Sequence, residues 1–129
     1  MTKKILLIDD EKDFVESVKE FFEMREYQVI AAYNGEEGLE KAKESPDIIL
    51  LDIKMPSMDG FEVLRRMKDQ SETRNTPIIM LTSKTDTEAI FEAQHLWATD
   101  YLMKPAGMGA LLMMVKQYLD DNRPKPINI

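Results

Sequence analysis

The sequence contains no cysteine and a single histidine, His95. The lack of cysteine excludes disulfide bonds, thiolate metal sites and cysteine nucleophiles, and it is typical of proteins in a reducing compartment. One histidine cannot build a metal centre of several histidines. A metal site in this chain therefore has to rely on oxygen ligands.

Long apolar runs are also missing. No stretch approaches the ~20 residues that a membrane-spanning helix needs, and near the N-terminus the apolar run 5–8 is followed at once by two aspartates. This run is too short for the core of a signal peptide. We expect a cytoplasmic protein that does not associate with membranes.

Positive charge is in deficit. The 129 residues include 17 lysines and arginines against 24 aspartates and glutamates, which gives a net charge of -7. We therefore expect no direct nucleic-acid partner, and phosphate would have to be held by local basic groups. A hydrophobic content of 43% in a chain of this length fits one globular domain with a sizeable core.

Short aliphatic segments alternate with helical patterns along the chain. Such alternation is typical of βαβ units, in which helices cover both faces of a parallel sheet. The five predicted strands span residues 4–9, 28–32, 47–52, 77–82 and 99–103. With right-handed crossovers these units most simply form a single-domain, doubly wound (βα)5 α/β fold. We expect a five-stranded parallel sheet with the flavodoxin-like strand order 2-1-3-4-5.

Capping boxes and apolar stripes predict the helices between the strands. Asn34 with Glu37, and Thr85 with Glu88, have the spacing that opens the second and fourth helices. The first helix carries an apolar stripe of Phe14, Val15, Val18, Phe21 and Phe22, and the last helix carries one of Met108, Leu111, Leu112, Val115 and Leu119.

Polar side chains suited to one chemistry follow four of the five strands. Asp9 and Asp10 follow the first strand, Asp52 ends the third, Thr82 ends the fourth and Lys104 follows the fifth. In a parallel sheet these strand ends meet at one edge, and ligands bind where the strand order reverses. Each residue has an ordinary interpretation alone, such as a helix cap or a solvated lysine. Their joint occurrence makes coincidence the weaker explanation.

Three carboxylates in one crevice repel one another, each pair by about 4 kcal/mol at contact distance and an effective dielectric of roughly 20. They need a cation, and a small site of oxygen ligands favours Mg²⁺ over Ca²⁺. We expect Lys104 to pair with Asp52 in the empty site and with phosphate in the filled one. A hydroxyl at Thr82 can donate a hydrogen bond to a phosphoryl oxygen. The implied chemistry is phosphoryl transfer to or from a carboxylate nucleophile.

Four segments carry a resemblance to a known family, namely "ILLIDDE", "LLDIKMPSMDG", "IIMLTS" and "DYLMKP". In this order and spacing they resemble the receiver domain of two-component response regulators, and the D-x-x-M-P-x-M-D-G pattern that starts at Asp52 is highly specific. The likeness begins at residue 3. We predict a receiver domain at 1–121 and a C-terminal tail or the start of a linker at 122–129.

The resemblance implies a role for each acidic residue. Asp52 would accept a phosphoryl group from the phosphohistidine of a sensor histidine kinase in a Mg²⁺-dependent reaction. Asp10 would ligate Mg²⁺ directly and Asp9 mainly through water. Asp52 and the backbone carbonyl of Lys54 would complete the protein ligands.

The resemblance also implies a conformational switch. Thr82 and Lys104 would hold the phosphoryl group, and Tyr101 matches the aromatic residue that turns inward when the threonine moves toward phosphate. Lys104–Pro105 would be a cis peptide. The protein would be a signalling switch whose chemistry is limited to its own phosphorylation and dephosphorylation. A downstream protein or output domain would dock on the face of the fourth helix, fifth strand and fifth helix.

A few residues depart from the family pattern or lie outside it. Trp97 stands where the family usually has Gly, and we expect it to cap the apolar face of the fourth helix. Because each of Gly107 and Gly109 lowers helix propensity by ~1 kcal/mol relative to Ala, we predict a loose first turn in the last helix. Met114 and Tyr118 form a second stripe on that helix. With Tyr101 they are our candidate partner or dimer surface, because methionine adapts well to contact surfaces.

Other functions remain open. A haloacid-dehalogenase-type phosphatase uses the same residue types, but it needs an Asp two residues after the nucleophile, where this chain has Lys54. A receiver-like scaffold that works without phosphorylation is a third possibility. A flavodoxin is less favoured, because no Ser/Thr/Gly-rich loop follows the first strand. We expect a stand-alone protein slightly more than a receiver from a longer chain.

Overall fold

The computed structural model describes residues 2–82, 98–104 and 107–119. Within them lies a five-stranded parallel sheet with the order β2-β1-β3-β4-β5, which confirms the predicted topology. The strands are β1 (Lys4–Ile8), β2 (Gln28–Ala32), β3 (Ile48–Asp52), β4 (Ile78–Thr82) and β5 (Asp100–Met103). Every residue of β3 and β4 is buried, as expected for strands with both faces covered.

The described helices cover the two faces of the sheet. They are α1 (Lys12–Glu23), α2 (Gly35–Lys41), α3 (Gly60–Asp69) and a C-terminal helix (Met108–Leu119). One core cluster joins the sheet to α1 and the C-terminal helix, and a second joins it to α3 and the segment after α2. The predicted helix that begins at Thr85, together with Trp97, lies outside the described residues, as do 120–129. The boundary at 121 therefore stays a prediction.

Side-chain caps fix where two of the helices begin. Asn34 accepts a hydrogen bond from the backbone N–H of Glu37 at 2.8 Å, as its capping-box spacing predicts. The carboxylate of Glu37 in turn accepts the backbone N–H of Tyr33 at 3.2 Å, one residue before the expected partner. Asp59 caps α3 in the same way by accepting the N–H of Glu62 at 3.0 Å. These contacts satisfy N–H groups that a helix N-terminus leaves without intrahelical partners.

Tyr118 does not belong to the candidate partner surface that the sequence predicted on the C-terminal helix. The residue is 7% exposed and packs in the same core cluster as Leu111 and Val115. Its hydroxyl donates to the carboxylate of Asp100 at 2.5 Å, so it ties the helix to β5. The prediction was wrong because five consecutive apolar residues, 111–115, do not define a single inward direction for this helix. Tyr118 is therefore part of the core and not of an interaction surface.

Among the described residues, none of the helices combines the length and the apolar character needed to cross a bilayer.

Candidate functional site

The strand register brings the predicted site residues to one edge of the sheet. Ile8 pairs with Leu51, so the next residues, Asp9 and Asp52, lie level with each other. On the other side of β3, the N–H of Ile53 donates to the carbonyl of Leu81 at 3.1 Å, beside Thr82. Thr82 pairs with Met103, and the N–H of Lys104 donates to the carbonyl of Thr82.

Three carboxylates form the centre of this edge. Asp9, Asp10 and Asp52 each offer an oxygen atom, and these oxygens all lie within 4.8 Å of one another. Asp9 is fully buried and Asp52 is 5% exposed, whereas Asp10 is exposed. Burial raises the pKa of Asp52 to about 7, with a further contribution from the negative charge of Asp9. A cation in this crevice would relieve the repulsion that raises the pKa.

Lys104 is paired with Asp9, which follows β1, and not with Asp52 at the end of β3. Its ammonium group donates to Asp9 at 2.8 Å and to Glu11 at 2.8 Å, and it lies 4.4 Å from the centre of the Phe14 ring. Among the described residues, no ion pair joins Lys104 to Asp52, in contrast to our expectation. In this position the ammonium group bridges two carboxylates, because Glu11 lies beside Asp9 and accepts a second hydrogen bond from it.

The pKa values of this pair follow from the same contacts. Burial raises the pKa of Asp9, although the hydrogen bonds from Lys104 and from the backbone of Glu11 partly oppose the rise. Burial lowers the pKa of Lys104, but its bonds to the two carboxylates outweigh that effect and raise the pKa overall. The lysine therefore stays charged at neutral pH.

Glu11 is the site residue that sequence reasoning missed. Its backbone N–H donates to Asp9 at 2.9 Å, while its carboxylate accepts from Lys104. Its position directly after the two aspartates was a weak signal, because an acid at the start of a helix is also favoured by the helix dipole. Only the position of Lys104 in the structure shows that Glu11 pairs with the lysine as well as lying at the start of the helix.

The loop after β3 begins directly beyond Asp52, which is the last residue of that strand. The N–H of Gly60 closes this loop on the carbonyl of Ile53 at 2.8 Å. Ser57 has a φ of 72°, a left-handed conformation that is uncommon outside glycine. A Cβ at Gly60 would collide with the backbone of Asp52 and Ile53, so this position requires glycine.

The two predicted switch residues lie on neighbouring strands. Thr82 is 6% exposed at the end of β4. Tyr101 is half-buried on β5 and packs against the core cluster that includes Met80 and Ala98. The aromatic side chain thus lies against the sheet in this structure. Pro105 falls outside the described residues, so the cis peptide stays a prediction.

The donor set at this edge fits a hard divalent cation. The three aspartates supply only oxygen ligands. Among the described residues, Lys104 is the one lysine paired in this crevice, and its charge does not balance theirs together with that of Glu11. Asp10 is exposed and keeps one side of the crevice open to solvent. Mg²⁺ prefers this combination of one or two carboxylates, water and phosphate oxygens.

The comparisons with known proteins agree with this geometry. Sporulation initiation phosphotransferase F of Bacillus subtilis (strain 168) is 38% identical, over 92% of this chain and 95% of that protein. Transcriptional regulatory protein CrdR of Helicobacter pylori is 37% identical over the whole chain, and CpxR of Escherichia coli is 35% identical over 90% of it. The chain spans 59% and 49% of the lengths of these two regulators.

Solved structures give the same result. The chemotaxis protein CheY4 of Vibrio cholerae superposes with a TM-score of 0.88 at 34% identity, covering 92% of this chain and 100% of that one. A CheY-like receiver domain protein from Methanospirillum hungatei superposes with a TM-score of 0.87 at 31% identity, covering 93% and 95% of the two chains. The sequence profile of the response regulator receiver domain matches residues 5–116. The chain belongs to the receiver domain family of two-component response regulators.

Proposed function

We propose that this receiver domain takes its phosphoryl group on Asp52, from the phosphohistidine of a sensor histidine kinase. The observation that carries the proposal is the position of one buried carboxylate, at the end of a central strand, within 4.8 Å of two others and beside a buried lysine. In the reaction an Asp52 oxygen forms a bond to phosphorus while the phosphorus–nitrogen bond breaks. The electron pair of that bond returns to the imidazole, which leaves with a proton.

Asp9, Asp10, Asp52 and the backbone carbonyl of Lys54 would hold Mg²⁺. When bound, the ion supplies positive charge against the crowded carboxylates and the transferring group. The protein's own contribution is position: β1 and β3 are hydrogen-bonded neighbours, so Asp9 and Asp52 are held at a fixed separation.

Lys104 and Thr82 would bind the oxygens of the new phosphoryl group. Both are less than 10% exposed and meet through the bond between the Lys104 N–H and the Thr82 carbonyl. Movement of Thr82 toward the phosphoryl group would open space for Tyr101 on the adjacent strand. The altered face of the fourth predicted helix, β5 and the C-terminal helix would then bind a downstream protein or an output domain. We further propose that the domain dephosphorylates itself and that it works in the cytoplasm.

Labelling with acetyl phosphate and Mg²⁺, followed by mass spectrometry of the intact protein, tests the proposal. We expect a mass increase of one phosphoryl group that disappears in Asp52→Asn and with EDTA. The matched control is Asp69→Asn, since Asp69 is an exposed carboxylate at the end of α3 and should label as the wild type does. Persistent labelling of Asp52→Asn would contradict the assigned nucleophile. A wild type that never labels would favour a scaffold that works without phosphorylation.

A further inference from the structure

We propose that Glu11 is a positioning residue that holds Lys104 in its unphosphorylated placement and thereby slows phosphorylation of Asp52. The inference rests on the proposed function, because it assigns a regulator to the same site. It starts from a closed set of contacts among Asp9, Glu11 and Lys104. In the proposed reaction, Lys104 leaves part of this set to bind the phosphoryl group.

The ammonium group of Lys104 is largely occupied. It has three N–H donors, and two of them are used at 2.8 Å by Asp9 and Glu11. The ring of Phe14 lies 4.4 Å from the nitrogen and adds a cation–π contact. A phosphoryl group on Asp52 would therefore compete with existing partners for this lysine.

The contact with Glu11 is the one that can break at low cost. The Asp9 side chain is fully buried, and loss of its counter-charge would leave an uncompensated charge inside the protein. The Glu11 side chain is 62% exposed, so water can replace the lysine as its partner. We infer that Lys104 turns toward the phosphoryl group by leaving Glu11 while it stays near Asp9.

The place of Glu11 in α1 supports a role toward the lysine. Glu11 is the N-cap residue of that helix, yet its side chain makes no capping hydrogen bond. Such capping bonds come mainly from the shorter side chains of Ser, Thr, Asp and Asn. Here the side chain instead reaches Lys104, which is 93 residues away in sequence. Its backbone N–H at the same time fixes Asp9.

The test compares initial rates of Asp52 phosphorylation by acetyl phosphate at saturating Mg²⁺. Because the broken contact is an exposed one, we expect Glu11→Gln to raise the rate by about two- to fivefold. Glu11→Asp keeps the charge but is one methylene shorter, so it should lose the contact and give a similar rise. Glu16→Gln removes an exposed charge from the same helix and should react at the wild-type rate.

The outcomes separate positioning from a general effect of charge. A rise in Glu11→Gln without a rise in Glu11→Asp would overturn the proposal in favour of simple repulsion of the anionic phosphodonor. An unchanged or slower rate in Glu11→Gln would also overturn it. Thermal unfolding of each variant checks that the fold is intact. Asp52→Asn is measured in the same experiment. If it is labelled like the wild type, Asp52 is not the nucleophile and the proposed function fails, whatever the Glu11 variants show.

Discussion

At the scale of single residues, the site brings together carboxylates whose negative charges repel one another. Asp52 is an acid in a nearly dry position beside a second buried acid, and its pKa rises to about 7. A carboxyl group whose native pKa is above its unfolded value stabilises the fold only while it is protonated. Its ionisation near neutral pH therefore costs stability when no metal is bound.

This gives a signed prediction for Asp52→Asn in chelator. From about pH 4 to pH 7 the native carboxyl group retains a proton that the unfolded one has lost, so the wild-type free energy of unfolding falls as pH rises through that window. Asp52→Asn has no ionisable group at this position, so its free energy of unfolding should not fall in this way. Urea unfolding should show it to be more stable than the wild type near pH 8, by at most about 4 kcal/mol, and much closer to it near pH 5. A stability difference that does not depend on pH would contradict the assignment.

Residue types and their spacing predicted which residues form the site. They did not predict which acid pairs with Lys104. Aspartates after β1 and at the end of β3 had to converge once the sheet was parallel. The sequence did not show which of them Lys104 would pair with, because that depends on which acids the fold brings within reach of the ammonium group; in the structure both Asp9 and Glu11 are 2.8 Å away. Glu11 was missed for the same reason, since its exposed side chain resembles an ordinary helix-start acid.

At the scale of elements, the C-terminal helix is attached to β5 through one polar contact inside apolar packing. Tyr118 donates to Asp100 at 2.5 Å, and the other oxygen of Asp100 accepts the N–H of Tyr101 at 2.8 Å. Burial raises the pKa of Tyr118, and the bond to Asp100 raises it further. The hydroxyl thus stays protonated well above its ordinary range, and the stability it provides is present below about pH 10 and lost only as pH rises further.

Substitutions at Tyr118 test this contact. We expect Tyr118→Phe to lower the free energy of unfolding by about 1–3 kcal/mol, because it leaves a carboxylate oxygen without its donor. Tyr118→Glu should be more severe, since it places a second carboxylate beside Asp100 in the core. Both are measured by urea unfolding, with Met113→Ala as the control at a position that is 74% exposed. A stable Tyr118→Glu variant would contradict the buried placement.

Element positions were largely predictable from the sequence, and the orientation of one helix was not. Every predicted strand lies within one residue of its observed bounds, because short aliphatic runs between helical patterns leave little freedom. In the first helix, Val15, Val18 and Phe22 are buried as their spacing predicts. In the last helix the apolar residues extend around several sides, so tertiary packing decided that Tyr118 points inward.

At the scale of the whole molecule, metal binding and stability should be coupled. A ligand that binds only the folded protein stabilises it by an amount that grows with its concentration, about 1.4 kcal/mol at ten times the dissociation constant. We expect Mg²⁺ to raise the unfolding temperature of the wild type relative to NaCl of equal ionic strength. Asp10→Asn should lose most of this increase, because an exposed ligand can be removed without unfolding the protein.

Asp69→Asn is the control for that experiment, since its carboxylate lies at the end of α3, away from the strand ends. It should keep the full response to Mg²⁺. An equal rise in Asp10→Asn and Asp69→Asn would mean that the ion acts by general screening and not at the aspartate crevice.

The strand order places the proposed site residues in two different parts of the sheet, its centre and its border. Asp52 ends β3, which has neighbours on both sides, whereas Tyr101 belongs to β5, which within the described part of the chain pairs only with β4. A strand at the border of a sheet has backbone hydrogen-bond partners along one side only. The proposed phosphoryl acceptor therefore lies in the middle of the sheet, whereas the proposed switch residue lies at its border, where another protein could contact it.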